Sequence, residues 1–157
     1  MSGIIGQSPD MRSGVVGAWP SGIILQAVRG QSTTSGSIVG TTGIYGEMLT
    51  FDVTAKKANP SYTIIYSFTG QNTYTWMSCG LRITMTSETG GSNNTVATTA
   101  DWKNPSSGAV LTVTGMAIIT TNASAGDTLT LALDLYHNSG VSTTTYWWTP
   151  SMIAMEY

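Results

Sequence analysis

Charge is what this chain has least of. Six Lys or Arg and eight Asp or Glu make up 9% of its 157 residues, against about 25% in ordinary soluble domains. The six basic residues are scattered and the formal net charge is −2, so the clustered positive face that nucleic-acid binding needs is missing. There is one cysteine, Cys79, which excludes an intrachain disulfide and reads as a small buried apolar residue in a strand-like run. One histidine and one cysteine are too few for a His/Cys metal cluster, and no Asp ladder of calcium-loop spacing occurs. No apolar run approaches the roughly 18 residues that span a bilayer, so membrane insertion is not expected. The N-terminus lacks the basic and apolar regions of a secretory signal, so release by lysis is expected rather than secretion.

Catalytic signatures are equally sparse. No G-x-S-x-G elbow is present, and the glycines at 36, 40, 43 and 46 are not followed by Gly-Lys-Ser/Thr, which rules out a nucleophile elbow and a phosphate loop. The carboxylates never pair closely in sequence. Asp52, Asp134 and Glu156 fall on predicted strands, where they could meet only through the fold. His137 precedes Asn138-Ser139-Gly140 and reads as a surface-turn residue. No enzyme and no cofactor are expected.

What is abundant is Thr, Val, Ile, Tyr and Trp, punctuated every eight to fifteen residues by Gly, Asn and Ser. That rhythm predicts an all-β antiparallel sandwich with a jelly roll as the leading topology. The clearest strand is 128–136, where four leucines alternate with Thr, Ala and Asp, burying one face. Further strands are predicted at 23–29, 48–53, 62–69, 75–86, 110–121, 144–149 and 152–157. In 110–121 both faces turn apolar at Met116-Ala117-Ile118-Ile119, which fits a sandwich whose outer face meets another subunit. Residues 30–46, rich in Gly, Ser and Thr, read as a flexible loop, or as two short edge strands around Ile38-Val39 and Ile44-Tyr45. Consecutive aromatics Tyr146-Trp147-Trp148 fit one ring in the core and others at a subunit contact or a glycan.

The chain opens on Ser2-Gly3-Ile4-Ile5-Gly6, repeats the unit as Ser13-Gly14-Val15-Val16-Gly17, and begins it again at Ser21-Gly22-Ile23-Ile24. A pair of β-branched residues puts one side chain on each face of an extended segment. Pro9 favours extended backbone at Ser8. Burying Ile4, Ile5, Val15 and Val16 is worth on the order of 6–12 kcal/mol gross. Ordering the backbone costs about 1–2 kcal/mol per residue, so such an arm needs backbone hydrogen bonds to a partner, as in strand addition. Asp10 and Arg12, flanking Met11, are its only charges.

This opening, with Pro20-Ser21-Gly22-Ile23-Ile24-Leu25-Gln26-Ala27-Val28 after it, resembles N-terminal segments of small structural proteins of marine tailed bacteriophages, including phages of cyanobacteria. The closing Pro150-Ser151-Met152-Ile153-Ala154-Met155-Glu156-Tyr157 is similar in pattern to the last strand of trimeric tumour-necrosis-factor-like heads. The resemblance implies a virion structural protein assembled in the host cytoplasm. It implies a docking arm over residues 1–20 (Ile4, Ile5, Pro9, Asp10, Met11, Arg12, Val15, Val16) and a jelly-roll domain over 21–157. It further implies a homotrimer bound to capsid or tail proteins as a decoration or head fibre. The alternative is a tail-fibre tip that contacts host-surface glycan through Tyr146, Trp147 and Trp148 or through the loop at Gly90 to Asn94. No metal or catalytic residue comes with it.

Overall fold

The structure is a computed structural model that describes residues 24–40, 43, 45–73, 78–87, 95–103, 106–137 and 142–157; the side chains of 45, 78–80, 87 and 95–103 are outside that description. The arm expected over residues 1–20 lies outside the described residues, as do Trp76, the 90–94 loop tip and the side chains of Cys79 and Trp102.

Every described element is a strand, and all ladders are antiparallel. The pairing is nested. β1 (Gln26–Gln31) and β2 (Ser35–Gly40) pair with β9 (Thr143–Glu156), and β3 (Tyr45–Thr54) with β8 (Thr128–His137). β4 (Ser61–Asn72) pairs with β7 (Val110–Thr120), and β5 (Ser78–Ser87) with β6 (Thr95–Lys103). That is one long hairpin rolled over itself. Folding it in half brings β9 against β4 and β8 against β5. Two sheets result, β1-β9-β4-β7 with β2 also on β9, and β3-β8-β5-β6. This is a jelly roll.

Period-two patterning fills the space between the sheets. Leu129, Leu131, Leu133 and Leu135 of β8 are fully buried, and so are Tyr62 and Ile64 of β4, Ile83 and Met85 of β5, and Met152 and Ala154 of β9. The alternation in 128–136 was the strongest strand signal, and it marks the central strand of its sheet.

Three expectations change. The strands expected at 144–149 and 152–157 are one strand, β9, interrupted by a bulge. Ser67 faces Ser151 and Thr69 faces Trp148, so Thr149 and Pro150 together oppose Phe68. Thr149 sits at φ 47, a conformation β-branched residues rarely adopt. The bulge shifts the phase of β9 by one residue: Thr143, Thr145 and Trp147 point inward before it, Met152, Ala154 and Glu156 after it. It also explains a proline in a central strand, where the missing N–H would otherwise cost a ladder bond. Opposite it the neighbouring strand breaks into β1 and β2, and Ser32 N–H donates to the Pro150 carbonyl (2.9 Å).

The second change concerns residues 30–46, whose described part holds the end of β1, all of β2 and the start of β3, as in the edge-strand alternative; Ile44 lies outside the described residues. The glycines of this segment make room for rings. A Cβ on Gly36 would lie 2.3 Å from the Trp147 ring, and one on Gly30 would lie 2.1 Å from Phe51. The third is β6, which no sequence pattern announced. Turns close where Ala109 N–H donates to Ser106 O and Asp127 N–H to Ser124 O.

Candidate interaction surface

The outer faces of the two sheets differ in chemistry. On β3-β8-β5 the outward positions include Thr50, Asp52, Thr54, Thr84, Thr86, Thr128 and Thr130. Arg82 donates from Nε and Nη2 to Asp134 Oδ2 (3.0 and 2.7 Å), while Glu47 stands across from Asp134 on the other side. Arg82 thus separates a carboxylate pair from uncompensated repulsion. Arg82→Ala is expected to cost about 1–2 kcal/mol, read as a lower urea midpoint, with part of the loss recovered in Asp134→Asn on that background.

On β1-β9-β4-β7 the register builds apolar rows. Met116, Ile65, Ile153 and Arg29 form one row across the sheet, and Ile118, Thr63, Met155 and Ala27 the next. Met116 and Ile118 are 63% and 61% exposed and Ile65 43%. Side chains of this size are rarely left contiguous and bare on a free surface. The two-faced apolar character read in 110–121 therefore has this meaning: Ala117 and Ile119 fill the core, and Met116 and Ile118 face out.

Beyond the polar row Thr114, Ser67, Ser151, Gln31, the same face carries Trp148 between Thr69 and Ser35, and Tyr146 between Gln71 and Ser37. The two rings lie nearly parallel, 6.2 Å apart at 19°. Tyr146 is exposed while Trp147, between them, is in the core. The structure thus brings Tyr146 and Trp148 together on the outside and separates Trp147 from them.

His137 is not in a surface turn. It ends β8 and is buried, because the strand runs further than its leucines and its ring is satisfied inside. His137 Nδ1 lies 2.9 Å from the Gly40 carbonyl, an obligate acceptor, so that nitrogen carries the proton. Nε2 then accepts from Thr145 Oγ1 (3.0 Å). Asn72 Nδ2 donates to Thr145 Oγ1 (2.8 Å) and Thr143 Oγ1 donates to Asn72 Oδ1 (2.9 Å). Each donor in this chain has one direction, which locks β2, β4, β8 and β9 together at one end of the sandwich.

Glu156 locks the other end. It is fully buried on the inner face of β9. Its carboxylate accepts from Gln26 Nε2 (2.5 Å), the Lys56 N–H (2.9 Å), the Lys57 N–H (3.1 Å) and the Tyr62 hydroxyl (3.3 Å). Burial first, then the Glu156 charge and hydrogen bond, push the Tyr62 phenol well above its ordinary value. The unfolded tyrosine ionises near pH 10 and the folded one resists, so this contribution is intact below pH 10 and is lost as pH rises past it. The expected slope is up to about 1.4 kcal/mol per pH unit. Tyr62→Phe is expected to flatten it, as checked by urea unfolding between pH 9 and 11.

These carboxylates do not converge. Asp52 accepts from Thr130 Oγ1 (2.9 Å) on the outer face of one sheet, four residues along β8 from Asp134, and Glu156 is inside the sandwich. Among the described residues no group of three or more His, Cys, Asp or Glu could hold a metal ion.

No protein family matches this chain, and no curated protein does. Solved structures do. A chain in the structure of infectious bursal disease virus, Gt strain, superposes with a TM-score of 0.59 at 10% identity, over 88% of this chain and 35% of that one. A chain of the Gx strain gives 0.56 at 13% identity, over 83% and 32%. This chain spans about a third of the length of these neighbours. At such identities the likeness concerns the fold, and it agrees with the jelly roll traced from the strand order.

Proposed function

We propose that this chain is a non-enzymatic structural component of a virion. It assembles as a homotrimer and docks through residues 1–20 onto capsid or tail proteins, as a capsid decoration or head fibre of a bacteriophage particle. Jelly rolls host many functions, so the strand order alone does not choose among them. The observation that carries the reading is the likeness to virus chains over 88% and 83% of this one. The apolar rows around Met116, Ile118, Ile65 and Ile153 support self-assembly, because a structural unit must bury part of its outer surface on neighbours. The phage source follows the resemblance of residues 2–28.

Light scattering on a gel-filtration column tests the assembly. The expected mass is three times the 16.5 kDa of the chain; a clean monomer at micromolar concentration overturns it. A map of the intact particle with this chain placed tests the location.

Tyr146 and Trp148, stacked and flanked by Ser35, Ser37, Thr69 and Gln71, favour a second reading, a tail-fibre tip that binds host-surface glycan. That reading expects a hit on a glycan array, weakened at least tenfold by Trp148→Ala. An array without hits, with density on the capsid lattice, leaves the decoration.

A further inference from the structure

Strand β7 is an unusual edge. Its eleven residues, Val110–Thr120, contain no charge and no proline. It pairs with β4 along its full length without a register shift. Among the described residues no strand is hydrogen-bonded to its other side, since it ends the sheet order, and β6 of the second sheet lies near it without pairing. Open edges are normally kept short, charged, bulged or broken by proline, because their free N–H and C=O groups template pairing with another chain. The opposite edge of the same sheet follows that rule: it is split into two six-residue strands, with Arg29 facing outward. The β7 edge has none of these protections, and its outer flank is the bare pair Met116 and Ile118.

We infer that the free edge of β7 receives residues 13–17, Ser13-Gly14-Val15-Val16-Gly17, of a neighbouring copy as an added strand. This rests on the self-assembly proposed above and names its joint, leaving residues 1–12 of the arm to reach capsid or tail proteins. Residues 1–23 lie outside the described residues and run into Ile24 and then β1. The described chain thus enters the sheet at the edge opposite β7. Copies set side by side bring the β1 edge of one against the β7 edge of the next. The seven residues from 17 to 24 span up to about 23 Å, enough to cross between adjoining strands about 4.8 Å apart.

Chemistry agrees with geometry. Segment 13–17 has no charge and meets a strand with none. Its β-branched pair sets one side chain outward beside Met116 and Ile118, and the other inward along the line of Ala117 and Ile119. Donor and acceptor are different surfaces, so the contact is heterologous, the kind that a closed ring of three copies repeats at each joint. The competing occupant is a second β7. Antiparallel pairing centred on Ile118 would set Ile118 against Ile118 of the other copy, an isologous contact that stops at two chains.

Cysteine cross-linking in the full chain on a Cys79→Ala background decides between them. Val15→Cys and Ile118→Cys proteins are unfolded together, refolded and oxidised. The expected product is a cross-link between the two different chains, with Ile118→Cys alone remaining uncross-linked. Cross-linking of Ile118→Cys to itself overturns the inference in favour of paired β7 strands. In the double variant, a cross-link that adds no mass at high dilution and in the assembly alike shows the segment on its own strand, and also overturns it. No cross-link in a preparation of trimeric mass sinks the joint while leaving the assembly standing; monomeric mass of the unmodified protein sinks the assembly itself. If Cys79→Ala does not fold, Val15→Asp with Val16→Asp in the otherwise native chain serves instead. It is expected to raise the dissociation concentration at least 100-fold with the β circular-dichroism signal unchanged, and an unaltered dissociation curve refutes the joint.

Discussion

Glu156→Ala is expected to lower the melting temperature by roughly 8–16 °C. Four donors converge on this carboxylate: the Gln26 amide, two successive backbone N–H groups at Lys56 and Lys57, and the Tyr62 hydroxyl. They belong to β1, to the β3–β4 connection and to β4. Removing the acceptor strands several of them at a buried site, which costs about 1–3 kcal/mol for a buried group left unpaired. A total of about 4 kcal/mol allows for partial rescue by water entering the space. Glu156→Gln keeps one accepting oxygen, loses the charge and presents an amide to donors that need acceptors; about half the loss is expected. Thermal melts at pH 7 check both. If Glu156→Ala melts within 2 °C of the parent, the carboxylate is not a lock.

Gly36→Val carries the second large effect, about 3 kcal/mol. Gly36 lies opposite Trp147 in the β2–β9 ladder, and the indole occupies the place where its side chain would be. Trp147 is held from its other side by the core, so it cannot swing away without opening the sandwich. Ser37→Val, one residue on, points outward beside Tyr146 and is expected to change stability by less than about 0.5 kcal/mol. Chemical denaturation of the pair separates a packing requirement at Gly36 from a general intolerance of β2. Equal losses at both positions would remove the packing explanation.

The same glycine shows why part of the fold escaped the sequence. Period-two alternation is a local signal, and where it is clean, as in 128–136 and 62–68, the strands stand where it put them. Residues 30–46 mix Gly, Ser and Thr and look like a linker. Their glycines are instead set by rings more than a hundred residues away at Trp147, or twenty away at Phe51, and no local window contains that. The bulge at Thr149-Pro150 broke the alternation of β9 in mid-strand and made one strand look like two. His137 was read from its neighbours Asn138-Ser139-Gly140, while its partners Gly40 and Thr145 come from other strands.

The candidate surface was half visible. Apolar residues on both faces of 110–121 announced an apolar outer face on that strand. What could not be read was the company: Ile65, Ile153 and Met155 join Met116 and Ile118 only through the β4–β7 and β4–β9 registers. That Tyr146, Trp147 and Trp148 serve both faces follows from alternation alone, but which ring turns inward, Trp147, became visible only in the structure. Glu156 as a structural carboxylate had no sequence signal, since its partners are spread from Gln26 to Tyr62.

The nested pairing also sets a timetable for synthesis. β9 lies between β1 and β4, and the Gln26–Glu156 hydrogen bond joins residues 130 apart. Until β9 has emerged from the ribosome, β1 and β2 have no ladder partner among the described strands, and β4 is held on the β7 side only. Contacts this distant in sequence make for slow folding, so the sandwich closes late, and until β9 arrives β4 stands with one side uncovered. Such an intermediate is a natural client for a chaperone.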